Sequence, residues 1–180
     1  MTRLQASGLA ALVFILAGCA KPKSATSGNP TTPVTAASPV ATATGGPVPA
    51  SLRPNPSLTP GDVLTTDAAR VCQRGYAKTV RNVPSSLKAL AYKRYGILTH
   101  RAGEYEVDHL ISLELGGSNS ILNLWPEAYA PLYGAHLKDK LENALHAKVC
   151  AGGLNLATAQ QAIANDWSSA YAKYLGPLPR

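Results

Sequence analysis

Beyond residue 60 the spacing of apolar side chains changes several times, and each change marks an element. Leu87, Leu90, Ala91 and Tyr95 share one face at helical spacing. Pro84-Ser85-Ser86 opens that stretch and Gly96 stops it, so a helix is predicted over 84–95, with a shorter helical piece at 67–72. Over 105–115 the helical period is lost and β-branched and aromatic residues take over, which predicts a strand that bends. Gly116-Gly117 turns the chain, and 121–124 returns as a short second strand closed by Trp125-Pro126. Leu137, Leu141, Leu145 and Val149 recur every four residues and predict a helix over 132–149 with that face buried. Asn155 is the expected N-cap of a last helix. Its apolar stripe is Ala159, Ile163, Trp167, Tyr171 and Tyr174, a core stripe rather than a platform for stacking bases. The order helix, strand, loop, strand, helix, helix describes an α+β fold with one small antiparallel hairpin. Two strands are not stable alone, so the helices must cover them.

The chain before this domain has a different texture. Residues 20–60 are built from Pro, Thr, Ala, Ser, Gly and Val, a composition too poor in large apolar groups to offset chain entropy, and read as a disordered tether. Ahead of it an apolar run at 9–17 follows Arg3 and is too short to span a bilayer. It ends in Leu16-Ala17-Gly18-Cys19, which resembles the lipobox of bacterial lipoproteins. That resemblance implies export, cleavage before Cys19, lipidation of its sulfur and anchoring to a membrane of the cell envelope. The expected organisation is a signal peptide over 1–18, a lipidated Cys19 with a Pro/Thr/Ala-rich tether over 19–57, and a folded domain over 58–180.

Cysteine usage and charge narrow the domain further. With Cys19 lipidated, Cys72 and Cys150 remain, and outside the cytoplasm two thiols left in one small domain usually pair; the alternative is two separate buried thiols. Such a bridge would close a loop worth roughly 4 kcal/mol in the loop-entropy model. The net charge is +7, which favours acidic partners, nucleic acid or an anionic membrane face. Between residues 68 and 103 there is no acidic residue, while Arg70, Arg74, Lys78, Arg81, Lys88, Lys93, Arg94 and Arg101 fall there.

The residues able to do chemistry cluster around the hairpin. Asp108 and His109 place a hard oxygen ligand beside a group that exchanges a proton near neutral pH. His136, near the start of the next helix, offers a second ligand, and Asn123 an amide able to hold a loop or orient an imidazole. A divalent ion on such a set polarises a phosphoryl oxygen. Adjacent side chains of a regular strand face opposite ways, so Asp108 and His109 can share a site only if the strand ends or bends there.

The run Val107-Asp108-His109-Leu110-Ile111, with Leu113, Gly116-Gly117 and Asn119, followed by Asn123-Leu124-Trp125-Pro126, resembles HNH endonucleases with the β-β-α metal fold. The resemblance implies that Asp108 and His136 are metal ligands, that His109 is the general base attacking a phosphodiester through water, and that Asn123 fixes the loop and orients His109. It departs from relatives with a tighter site in having Lys140 where a further His often stands. One loosely held Mg²⁺ or Mn²⁺ is therefore expected rather than Zn²⁺. Lys138, Lys140, Arg94 and Arg101 are the candidate phosphate contacts. The expected activity is metal-dependent hydrolysis of nucleic acid, DNA before RNA, with little sequence preference. The alternative is an HNH-shaped lipoprotein that binds or scaffolds without cutting.

Overall fold

A computed structural model describes residues 49–179. The expected signal peptide, Cys19 and most of the expected tether lie outside the described residues. The elements are short helices α1 (Ala68–Val71) and α2 (Tyr76–Val80), helix α3 (Ser85–Arg94), strands β1 (Tyr105–His109) and β2 (Leu124–Ala128), and helices α4 (Ala135–Cys150) and α5 (Leu156–Leu175). The fold is α+β, with one antiparallel two-stranded sheet among the described residues. No helix there is long and apolar enough to cross a membrane.

The hairpin register pairs Glu106 with Glu127, Asp108 with Trp125 and His109 with Leu124. Directly opposed residues share a face, and so do residues two apart. One face therefore carries Glu106, Asp108, Trp125 and Glu127; the other carries Val107, His109, Leu124 and Pro126. Four consecutive β2 residues, Leu124–Glu127, are buried, because α3 and α4 both pack against the hairpin and its neighbouring loops. The returning strand thus starts later than its sequence suggests and contains Trp125-Pro126 instead of ending there. Pro126 is tolerated because both strands of a two-stranded sheet are edges, where the lost N–H leaves no ladder bond unmade.

The main core lies between α4, α5 and the loop after β1. Leu137, Leu141, Leu145 and Val149 from α4 meet Ala159, Ile163 and Trp167 from α5, with Ile111 and Leu115 from the loop. Asn155 caps α5 as its position implies, accepting from the Thr158 N–H at 3.2 Å. Tyr171 and Tyr174 pack at the rim of the core. Asp166 interrupts α5 in an extended conformation (φ −165°, ψ 97°), and its carboxylate caps the second half through the Ser168 and Ser169 N–H groups. Arg53 closes on that carboxylate at 3.3 Å and on Ser168 Oγ at 2.9 Å. Leu52 also packs on the core, so part of the segment expected in the tether belongs to the domain.

The loop between the strands turns at Gly116 (φ 78°), and a Cβ on Gly117 would run into the Ile111 carbonyl. Cys72 and Cys150 form a disulfide that ties the end of α1 to the last residue of α4.

Candidate functional site

Helix α4 lies against the hairpin face that carries Asp108 and Glu127, and the residue it aims there is Lys138. This side chain is completely buried (0 % exposed). Its Nζ donates to Asp108 Oδ2 at 2.6 Å, to the His109 carbonyl at 2.8 Å and to Glu142 Oε1 one helical turn further on. Glu127 Oε2 lies 3.5 Å away, and neither Glu127 oxygen makes a hydrogen bond. A buried ammonium is tolerated only when paired and hydrogen-bonded, and these groups supply that. Burial works against charge on Lys138, but the surrounding carboxylates outweigh it and keep the amine protonated. Burial also pushes Asp108 up, yet the charge and hydrogen bond of Lys138 hold it below the usual carboxylate range. Glu127 is raised well above that range by burial, and Glu142 is raised by burial to about 8.

These shifts give the cluster a pH dependence with a definite sign. Between the ordinary carboxyl value and about 8, folded Glu142 holds a proton that the unfolded chain has released. Stability therefore falls as pH rises through that window, by on the order of 1 kcal/mol per pH unit for each such proton. Asp108 acts oppositely, losing its contribution only at pH below the normal carboxylate range. Thermal melts should place the midpoint lower at pH 8 than at pH 5, and Glu142→Gln should flatten the difference. A midpoint that rises over that interval would contradict the assignment.

The predicted metal ligands do not converge. His136 stands at the start of α4 with its side chain 85 % exposed, its Nδ1 3.8 Å from Asp139 and its ring 5.7 Å from that of Tyr129. Residues two apart on a helix differ by about 200°, so a helix that points Lys138 at Asp108 points His136 and Lys140 away. The helix positions facing the strands are 138 and 142, not 136 and 140. Asp108, His109 and His136 do not bring ligand atoms within reach of one another; among the described residues the trio that does is Cys72, His146 and Cys150, whose sulfurs are bonded to each other. The donor set expected for Mg²⁺ or Mn²⁺ thus does not fit a metal here: its carboxylate already holds an ammonium.

His109 also departs from its expected setting. β1 continues through it without a bend, so its side chain leaves the hairpin on the face opposite Asp108. It is 1 % exposed. Its Nε2 lies 3.1 Å from Asn119 Oδ1. The Asn119 amide is fixed in turn, since Nδ2 donates to the Val80 carbonyl at 2.8 Å and Oδ1 accepts from Asn82 N–H at 3.1 Å. An acceptor in that place assigns the proton to Nε2. Burial lowers the pKa of His109, which keeps it neutral. Asn119, which follows the Gly-Gly turn in the motif, thus holds the imidazole. Asn123, expected to fix the loop and orient the imidazole, is fully buried and does the first, while the second falls to Asn119. Asn123 Oδ1 accepts from Ile111 N–H at 2.9 Å, and its Nδ2 donates to the Ile111 and Ser118 carbonyls, each at 2.9 Å.

The candidate phosphate contacts divide likewise. Lys138 is buried, and Arg94 spends its guanidinium on the carbonyls of Leu58 (2.9 Å) and Ile121 (3.1 Å). Arg101 and Lys140 are exposed, as are Arg70, Arg74, Lys78, Arg81, Lys88 and Lys93. Glu127 and Glu142, not singled out in the sequence, complete the cluster. Two signals could have found them: Lys138 and Glu142 stand one helical turn apart beside the Leu stripe, and Glu127 follows Trp125 at strand spacing.

No family model, curated protein or solved structure matches the chain.

Proposed function

We propose that this protein is an envelope-anchored lipoprotein that binds nucleic acid through its basic segment, with a domain shaped like an HNH β-β-α motif but without its hydrolytic chemistry. The observation that carries the reading is the ammonium of Lys138 on Asp108 at 2.6 Å. A metal nuclease of this kind needs that carboxylate free for a cation and its histidine open to water. Here the carboxylate is taken and the histidine is covered. The binding half rests on charge: of the eight basic residues over 68–103 all but Arg94 are exposed, six of these seven on or beside α1, α2 and α3, with no acidic residue among them. The anchor rests on Leu16-Ala17-Gly18-Cys19 and the tether on the composition of 20–60.

Contacts of this type neutralise phosphates without reading bases. The full chain should bind unrelated fluorescent duplexes with similar affinity, and that affinity should drop at least ~100-fold between 50 and 200 mM salt if about four phosphates are contacted. Reversing Arg70, Arg74, Lys78 and Arg81 to Glu should remove most of the binding and the salt slope. The companion assay is plasmid nicking in Mg²⁺ or Mn²⁺. Nicking abolished by both His109→Ala and a chelator would replace this proposal with the metal-dependent endonuclease.

A further inference from the structure

We infer that Cys72, Cys150 and His146 form a Zn²⁺ site when the Cys72–Cys150 disulfide is reduced, so that this corner of the fold holds either a bond or an ion. The site is independent of what the basic segment binds. Among the described residues these three are the group whose ligand atoms all lie within 4.8 Å of one another. His146 and Cys150 stand four residues apart on α4 and so share one face of it. Cys72, the C-cap of α1, is brought to them by the packing of α1 on α4. Two sulfurs and an imidazole are ligands that select Zn²⁺ over Mg²⁺ or Mn²⁺.

The distances suit that ion. Zn–S bonds of about 2.3 Å and a Zn–N bond of about 2.0 Å in a tetrahedron put neighbouring sulfur and nitrogen roughly 3.5 Å apart. His146 Nε2 is already 3.4 Å from Cys150 Sγ. Two sulfurs on one Zn²⁺ stand roughly 3.8 Å apart. The thiolates therefore need only part from bonding distance, which side-chain rotation from Cα atoms 5.5 Å apart can do. Glu114 is a second, separate pointer. Its Oε2 lies 3.9 Å from His146 Nδ1, the ring nitrogen that would not bind the ion. A metal-bound histidine commonly has a carboxylate behind its other nitrogen, which fixes the tautomer and raises the basicity of the ligand. In the disulfide form Nε2 can donate to the Val71 carbonyl at 3.0 Å. With the ring proton on Nδ1, beside Glu114, the Nε2 lone pair is free for Zn²⁺. The fourth position falls to water, since Cys150 is exposed at the end of its helix.

Two electrons and two protons from a dithiol reductant convert the disulfide to two thiols, and the reductant leaves as its own disulfide. Zn²⁺ then displaces both thiol protons and is held by two thiolates and a neutral imidazole. Exchange with a disulfide oxidant re-forms the bond and releases the ion. While it is bound, Zn²⁺ takes over the task of tying the end of α1 to the end of α4.

The experiment uses the full chain carrying Cys19→Ser, which removes the one other thiol. Thermal melts are compared for the oxidised chain, the chain reduced by a water-soluble phosphine in chelator, and the reduced chain in Zn²⁺; a phosphine, unlike a dithiol, does not compete for the metal. The reduced chain is expected to take up one Zn²⁺ and to melt about 10 °C higher than in chelator when free Zn²⁺ is about 100-fold above its Kd. The oxidised chain should show no such shift. Co²⁺ in place of Zn²⁺ should give a thiolate-to-metal charge-transfer band in the reduced chain alone. Reduced His146→Ala should bind at least ~10-fold more weakly, and reduced Glu114→Gln about 10-fold more weakly. If the reduced chain does not fold in chelator, refolding under reductant with and without Zn²⁺ is compared instead, and recovery only with the ion supports the site. A reduced chain that Zn²⁺ neither stabilises nor refolds, uptake indifferent to His146, or an equal shift in the oxidised chain would overturn it.

Discussion

Reduction of the Cys72–Cys150 disulfide is expected to cost about 4 kcal/mol of stability, one of the two largest losses any local change to this domain should produce. The sequence separation is 78 residues. Closing a loop of that length removes denatured-chain entropy as the logarithm of its size, which gives about 4 kcal/mol in the loop-entropy model. The bridge also has a structural task. α1 and α2 together hold nine residues and bury only Val71 and Tyr76 as large core side chains. Helices so short do not hold themselves in place, and the disulfide fixes the end of α1 to the end of α4. For a domain of this size the loss corresponds to a melting shift of roughly 15 °C. It should appear equally on adding a reductant and in the Cys72→Ser/Cys150→Ser variant. Coincident melts of oxidised and reduced protein would show that the bridge adds nothing. Because exposed basic residues sit on the segment the bridge secures, nucleic-acid affinity should weaken with reduction as well.

The disulfide was legible in advance because the export expected from the lipobox-like Leu16-Ala17-Gly18-Cys19, with two thiols left over, leaves few alternatives. The amphipathic helices were legible for a similar reason. Leu137, Leu141, Leu145 and Val149 can share a buried face only in a helix, and Asn155 stands where a cap must. What the pattern did not carry is which residue of α4 faces the hairpin. His136 is a conventional ligand and Lys138 is not, so chemistry favoured 136, whereas the rotation of the helix is set by its Leu stripe, which puts 138 and 142 beside the strands. The same limit applies to β1. The Gly-Gly turn suggested a strand bending early enough to bring Asp108 and His109 together, but pairing of His109 with Leu124 keeps the pleat regular and separates them. Asn119 and Asn123 are chemically identical, and only tertiary placement decides which one meets the imidazole. α2 was missed because it is a five-residue helix whose start, Gly75, adopts a left-handed conformation rather than a capping one. Arg53 and Leu52 were assigned to the tether because Pro-rich composition masks two residues whose partners, Asp166 and the core, are distant in sequence.

Asn123 supplies the second large effect, and it separates a structural role from a catalytic one. Its amide makes three bonds of 2.9 Å inside the loop, two to the backbone of Ile111 and one to Ser118, with a longer contact of 3.4 Å to Asp62 N–H. Asn123 is completely buried. Truncation to Ala would leave one N–H and two carbonyls without partners in the interior, each worth about 1–3 kcal/mol when stranded, so a loss of about 4 kcal/mol is expected. Asn123→Asp keeps the acceptor for Ile111 N–H but exchanges two donated bonds for a carboxylate facing two carbonyls. It should be nearly as damaging at neutral pH and should recover partly in acid, where a protonated carboxyl can donate once. His109→Ala breaks a single side-chain bond, to Asn119, and opens a cavity, which should cost less, about 2 kcal/mol. The ranking in chemical denaturation, Asn123→Ala well below His109→Ala, follows from a loop that Asn123 holds shut. If Asn123 served only to orient the imidazole, the two substitutions would cost the same and a double variant would add nothing to either. Additive losses in that double variant would instead confirm two independent fastenings, one for the turn and one for the histidine.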